Sequence, residues 1–244
     1  MPRTNAPGVD LLAIAAHPDD AELTCGGTLA RAVRQGHRVA ILDLVAGESG
    51  TSGSAAIRQR EAERAAAALG VRYRGNAGLR DAHLHNTDET RRVVVEWIRH
   101  YRPRTVILPF PVGRHPDHRV ASELARDACY LAGLARYDAN GRPHRPFKLL
   151  YALAYREDPV KPSFVVDISA TFRAKMKAIH SFRSQFDGAK QAGEIFPTGQ
   201  HLYELVETQA EHYGSLIRTR YGEPYFTHET VAVDDVVELG VQSM

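Results

Sequence analysis

Apolar residues in this chain gather in short, nearly unbroken runs, and between the runs they recur at the three-to-four-residue spacing of a helix. Val9–Ala16, Arg38–Ala46 and Thr105–Phe110 are runs of the first kind, too short for a helix and apolar enough to be covered on both faces like strands of a parallel sheet. Val71–Leu79 reads as a further short strand. The stretches between them read as helices: one entered at Pro18 and ending near Gly36, Ala55–Leu69 stopped by Gly70, Asn86–Tyr101 capped by Thr87, and His115–Gly133. Val93, Val94, Trp97 and Ile98 form the inner face of the third helix. Strand and helix therefore alternate, which predicts an α/β fold with a Rossmann-like, doubly wound, mostly parallel sheet.

The final third is less regular. Pro143 and Pro146 interrupt the chain before strand-like Phe147–Tyr155 and Phe164–Ile168. Ser169–Phe182, with Ser169 as cap, and His201–Arg220 read as helices, and Phe226–Val233 as a strand closing an edge of the sheet. We read this third as a C-terminal cap over the sheet, inside a single domain spanning residues 1–244.

Composition narrows the class. With 43% hydrophobic and 25% charged residues the chain can bury a core and is not disordered throughout. A net charge of +2, with no basic run interleaved with aromatics, gives no reason to expect nucleic acid. Cys25 and Cys129 form no C-x-x-C pair and read as small buried hydrophobes of a reducing compartment. No apolar stretch approaches the roughly 18 residues of a membrane span, and residues 1–8 lack a signal region, so a cytoplasmic location is the expectation.

Chemistry concentrates where two of the strands end. Ala16-His17-Pro18-Asp19-Asp20-Ala21-Glu22 follows the first, and Gly113-Arg114-His115-Pro116-Asp117-His118 follows the Thr105–Phe110 strand. In an open α/β sheet these carboxyl ends face one crevice, where such folds bind ligands. Two turns rich in His and Asp that meet there are a candidate metal site. The Gly/Ser-rich loop Gly47–Gly53 follows the second strand and reads as a mobile, substrate-facing segment. It has neither the Walker ending nor a G-x-G-x-x-G spacing. Arg58, in the first turn of the next helix, is placed to reach an anionic substrate group, while Arg60, Glu61, Glu63 and Arg64 read as a solvated face.

These residues resemble a known family. A-H-P-D-D-A-E at Ala16–Glu22, G-G-T-L-A at Gly26–Ala30 and H-P-D-H at His115–His118 are similar to the LmbE-like (PIG-L) zinc deacetylases. Gly50-Thr51-Ser52-Gly53, Ile57–Ala62, Ser184-Gln185-Phe186 and Tyr221-Gly222-Glu223-Pro224 resemble the bacillithiol-pathway branch, which deacetylates N-acetylglucosaminyl-malate. Where the mycothiol branch carries a Tyr before H-P-D-H, this chain has Val112-Gly113-Arg114. The resemblance implies zinc held by His17, Asp20 and His118, with Fe²⁺ as an alternative occupant. It implies Asp19 as general base, His115 beside the tetrahedral oxyanion, Arg58 and Asp81 in contact with substrate, and a homo-oligomer, hexameric in the relatives.

The chemistry of the residues is consistent with those roles. Two neutral imidazoles and a carboxylate leave a metal with net positive charge and an open position, the arrangement of a catalytic rather than structural zinc. Asp19, next to a ligand, is placed to take a proton from water, and a protonated His115 to stabilise the developing oxyanion. Asp117 reads as a helix-start acid or as the partner of a ligand. Two other readings stand beside this one. The chain could deacetylate a different N-acetyl sugar, such as a chitin fragment or an antibiotic intermediate, or it could be a non-enzymatic Rossmann-like module that binds a sugar or nucleotide.

Overall fold

The computed structural model describes residues 8–50, 52–153, 160–187 and 202–241. Its strands are β1 (Leu11–Ala15), β2 (Val39–Val45), β3 (Tyr73–Leu79), β4 (Thr105–Pro109), β5 (Lys148–Ala152), β6 (Phe164–Asp167) and β7 (Gly222–Phe226). The helices are α1 (Asp20–Arg34), α2 (Ala55–Leu69), α3 (Asp88–Tyr101), α4 (Pro116–Leu131), α5 (Phe172–Ile179), α6 (Arg183–Phe186) and α7 (Leu202–Leu216).

One sheet carries the order β3-β2-β1-β4-β5-β7-β6, and its first five strands run parallel. From β1 the chain winds outward through β2 and β3, then returns to place β4 on the other side of β1. The reversal opens a crevice at the carboxyl ends of β1 and β4, and both His-Asp turns stand on it. Alternate residues of each strand feed the two faces. Leu12, Ile14, Leu42, Leu44, Val106 and Leu108 pack against α3 and α4, whereas Ala13, Ala15, Ile41 and Ile107 pack under α1, α2 and α5. Cys25 and Cys129 are both free and buried.

Several local expectations hold. α2 ends at Gly70, whose φ of 75° is the left-handed conformation glycine adopts readily. Thr87 caps α3 in a reciprocal box with Thr90. Elsewhere tertiary contacts decide otherwise. α1 begins at Asp20 and not at Pro18, because the chain turns through Asp19 first. Val95 rather than Val93 is fully buried on α3. α5 starts after Thr171, and the Ser169 hydroxyl instead accepts the Tyr221 N–H at 3.1 Å. The last strand is Gly222–Phe226, earlier than Phe226–Val233, and it lies between β5 and β6, antiparallel to both, so that β6 is the edge. Glu61 is not a surface charge: it is buried and receives the Ser184 N–H at 2.8 Å and the Ser184 hydroxyl at 2.6 Å. Thr51, Tyr155 and His201 lie outside the described residues. Among the described residues no helix is long and apolar enough to cross a membrane.

Candidate metal centre and active site

His17 leaves the end of β1 almost fully buried, and both edges of its ring are engaged by carboxylates. On one edge, Nδ1 lies 3.3 Å from Asp20 Oδ2. The same oxygen receives the His17 backbone N–H at 2.9 Å and stands 3.1 Å from His118 Nε2. Asp20 Oδ2 therefore sits between nitrogens of two histidines from two different strand-to-helix turns. On the other edge, His17 Nε2 lies 3.2 Å from Asp81 Oδ1 and 3.4 Å from Asp117 Oδ2. Those two carboxylates are themselves held by backbone donors. Asp81 accepts the Ser49 and Ala82 N–H groups, and Asp117 accepts the Ala82 N–H.

The electrostatics follow from this crowding. Burial disfavours a charged His17, yet the hydrogen bonds it donates to Asp117, Asp20 and Asp81 outweigh it and push the ring up to about 12. Asp20 is lowered well below the usual carboxylate range: burial opposes the shift, and His118 and His17 overcome it. The His17 hydrogen bond carries Asp81 down to about 2, against burial. The shared cause is a buried set of carboxylates that requires positive charge at its centre. A divalent metal fits that requirement, and the donors are of the N/O type such metals take.

The ligating atoms of His17, His115 and His118 lie within 4.8 Å of one another, as do those of His17, Asp81 and Asp117. The ring of His17 separates the two sets. With Nε2–H donated to Asp81 and Asp117, Nδ1 is the nitrogen that faces Asp20, on the side of His118, where a metal would take the place of its proton. A carboxylate behind the far nitrogen is the usual way a ligating imidazole is oriented. Asp117 and Asp81 both stand in that place behind His17, and Asp81, expected as a substrate contact, also borders the cavity.

A cavity of about 400 Å³ opens over this centre. The Gly/Ser loop supplies Ser49, Gly50 and Ser52, and Val112, Gln185 and Phe186 close other sides. Asp19 and Arg58 also line it. Burial pushes Asp19 up to about 7, with Arg58 opposing. Its carboxylate accepts from Arg58 Nη2 at 3.0 Å. Arg58, expected to reach an anionic substrate group from the first turn of α2, is 4% exposed, lines the cavity and also bonds Pro18 O and Gly47 O.

His115 stands exposed at the mouth, its ring centroid 4.8 Å from those of His17 and of His118. As the cap of α4 its Nδ1 accepts the Asp117 N–H at 3.2 Å, which leaves Nε2 as the proton-bearing nitrogen. Partial desolvation and the two neighbouring rings hold its pKa below the ordinary value. Nε2 is thus the nitrogen free to donate a hydrogen bond into the cavity.

Sequence reasoning missed a second buried group behind α1. Arg74 of β3 gives Nε and Nη2 to Asp43 of β2 at 2.7 and 3.0 Å, and Nη1 to Glu22 at 2.5 Å. One signal was available: Asp43 is an acid inside the apolar run Val39–Val45, and a buried charge needs a partner.

Comparison with known proteins agrees with the geometry. Residues 12–129 match the family model PIG-L, GlcNAc-PI de-N-acetylase. Diacetylchitobiose deacetylase of Thermococcus kodakarensis is 31% identical over 232 residues, covering 87% of this chain and 80% of the relative. The chain belongs to the PIG-L family. It is a deacetylase, and the reading as a non-enzymatic binding module is set aside. A probable N-acetyl-alpha-D-glucosaminyl L-malate deacetylase 2 of Bacillus anthracis is 28% identical, covering 72% of this chain and 81% of that one. In three dimensions a conserved protein of Thermus thermophilus superposes with a TM-score of 0.83 at 37% identity, covering 93% of this chain and 98% of its own.

Proposed function

We propose that this PIG-L deacetylase removes the acetyl group from an N-acetylglucosaminide with a metal held by His17, Asp20 and His118. N-acetylglucosaminyl-L-malate, the substrate of the bacillithiol branch, is the first choice. The observation that carries the proposal is Asp20 Oδ2 lying within 3.3 Å of both His17 Nδ1 and His118 Nε2, beside a cavity that Asp19 and His115 also line. Zn²⁺ bound by these donors, or Fe²⁺ in its place, supplies Lewis acidity and makes water acidic near neutrality.

The remaining steps belong to the chain. Asp19, raised toward neutrality, takes the proton of the attacking water and then delivers it to the departing amine. The oxygen of the former amide carbonyl gains charge, and His115 Nε2–H donates to it. Asp81 and Asp117 keep the His17 ring fixed through both steps. The cavity, at the low end of the roughly 300–1,000 Å³ common for ligand sites, suits one sugar ring with its aglycone toward the mouth.

Turnover of N-acetylglucosamine, N-acetylglucosaminyl-malate and diacetylchitobiose under one set of conditions tests the substrate. Preference for the malyl compound supports the first choice, and preference for diacetylchitobiose moves the assignment to chitin fragments, toward which the Thermococcus relative points. We also propose a homo-oligomer, on the resemblance to the bacillithiol branch. A clean monomer by light scattering at micromolar concentration would count against it.

A further inference from the structure

Asp19 holds a backbone conformation that its residue type rarely adopts, with φ 120° and ψ −30°. Strain of this kind persists only where the surroundings over-determine it, and here the determinant is visible. Arg58 Nη2 donates at once to Pro18 O, at 2.7 Å, and to Asp19 Oδ2, at 3.0 Å. A single nitrogen therefore ties the carbonyl entering the strained residue to the carboxylate leaving it. Nη1 donates to Gly47 O at 3.3 Å.

The seat of this guanidinium is built for it. Gly47 has φ 73°, and a Cβ there would fall 2.1 Å from Arg58 Nη1, so only glycine leaves room. At its root, Arg58 lies in the first turn of α2, with its N–H on Ser54 O at 3.0 Å. Both terminal nitrogens point inward to protein atoms. Nε is buried without a hydrogen-bond partner among the described residues, so the grip on Asp19 and its neighbours is made by the two terminal nitrogens.

We propose that Arg58 is a positioning residue, a bracket that holds Asp19 in its strained conformation with the carboxylate turned to the reacting atoms. This rests on the reading of Asp19 as the general base. The bracket acts in the chemical step and is indifferent to whether the sugar carries a negative charge.

The test is a double-mutant cycle of Arg58→Ala and Asp19→Asn, with kcat and KM measured on the anionic malyl glucosaminide and on the neutral N-acetyl sugar that turns over. Arg58→Ala is expected to lower kcat about 10- to 100-fold on both substrates, less than the roughly hundredfold to ten-thousandfold loss of the base itself because the carboxylate remains, with KM changed less than about threefold. Added to Asp19→Asn, it should lower kcat no further, because residues that act as a unit are not additive. Millimolar guanidinium should restore part of the loss in Arg58→Ala and none in the double variant. Arg58→Lys, the variant to read if Arg58→Ala does not fold, should recover only partly, since a lysine has no planar fork.

A rise in KM confined to the malyl compound, with kcat kept, would overturn the bracket and make Arg58 a substrate arm. A full additive loss in the double variant would also overturn it. Failure of the underlying reading looks different: Asp19→Asn would then keep wild-type kcat, whatever Arg58→Ala did.

Discussion

At the scale of single residues, Asp19 and Asp20 are neighbours with the same side chain and opposite environments. Asp20 faces two imidazoles and stays ionised, while Asp19 is buried, and Arg58 and the more weakly acting His17 do not offset its loss of hydration. The difference predicts separable phenotypes. Asp19→Asn should retain stoichiometric metal and lose kcat by about a hundredfold to ten-thousandfold, read by steady-state kinetics beside metal analysis. His17→Ala, Asp20→Ala and His118→Ala should each lose the metal and the activity together, and stoichiometric metal in all three would refute the ligand set. Asp81→Asn and Asp117→Asn are expected to fall between. Each removes a carboxylate behind His17 Nε2 and should weaken metal retention about 10- to 100-fold in competition with a chelator, with substrate KM little changed. A selective rise in KM for Asp81→Asn would place it among the substrate contacts.

At the scale of elements, the two short motifs Gly26-Gly27-Thr28 and Tyr221-Gly222-Glu223-Pro224 are the halves of one interaction. Glu223 of β7 accepts the Gly27 N–H at 2.8 Å, and the Thr28 N–H and hydroxyl at 2.7 and 2.6 Å, in the middle of α1. Lys175 of α5 completes it, donating to Glu223 at 2.6 Å and to Leu23 O at 2.9 Å. Carboxylate and ammonium are both buried, so neither tolerates the loss of the other. The glycine pair lets these elements approach: a Cβ on Gly27 would lie 2.7 Å from the side chain of Ile168. Gly27→Ala should therefore destabilise the fold by about 1–3 kcal/mol, the usual range for overpacking, measured by denaturant unfolding. Glu223→Leu should cost more, about 3–5 kcal/mol, because it leaves Lys175 buried without its counter-charge. Unchanged stability in Glu223→Leu would mean that the C-terminal elements do not lock α1.

At the scale of the whole molecule, the core and the metal centre are distinct. Two apolar layers fill the faces of the sheet, and the His-Asp turns rest on its carboxyl edge. Chelation should abolish turnover while circular dichroism keeps its α/β signature. The melting temperature should fall, by an amount corresponding to about 4 kcal/mol where free metal stood at a thousand times its Kd. Loss of the folded signature on chelation would show the centre to be structural. The alternation of apolar runs and helical spacing determined the doubly wound parallel sheet, since periodicity is local and each strand or helix writes its own pattern. Position at strand ends likewise determined where the His17 and His115 turns would meet, and Thr87 and Gly70 announced their helix boundaries. Tertiary structure alone decided that Arg58 brackets Asp19, that Arg74 joins Asp43 to Glu22, that Asp81 stands behind His17, and that β7 enters between β5 and β6. The partners in these contacts are far apart along the chain, by 196 residues for Gly27 and Glu223. Their meeting depends on strand order and on which buried charge finds its counter-charge, and neither is encoded in the spacing of apolar residues along the chain.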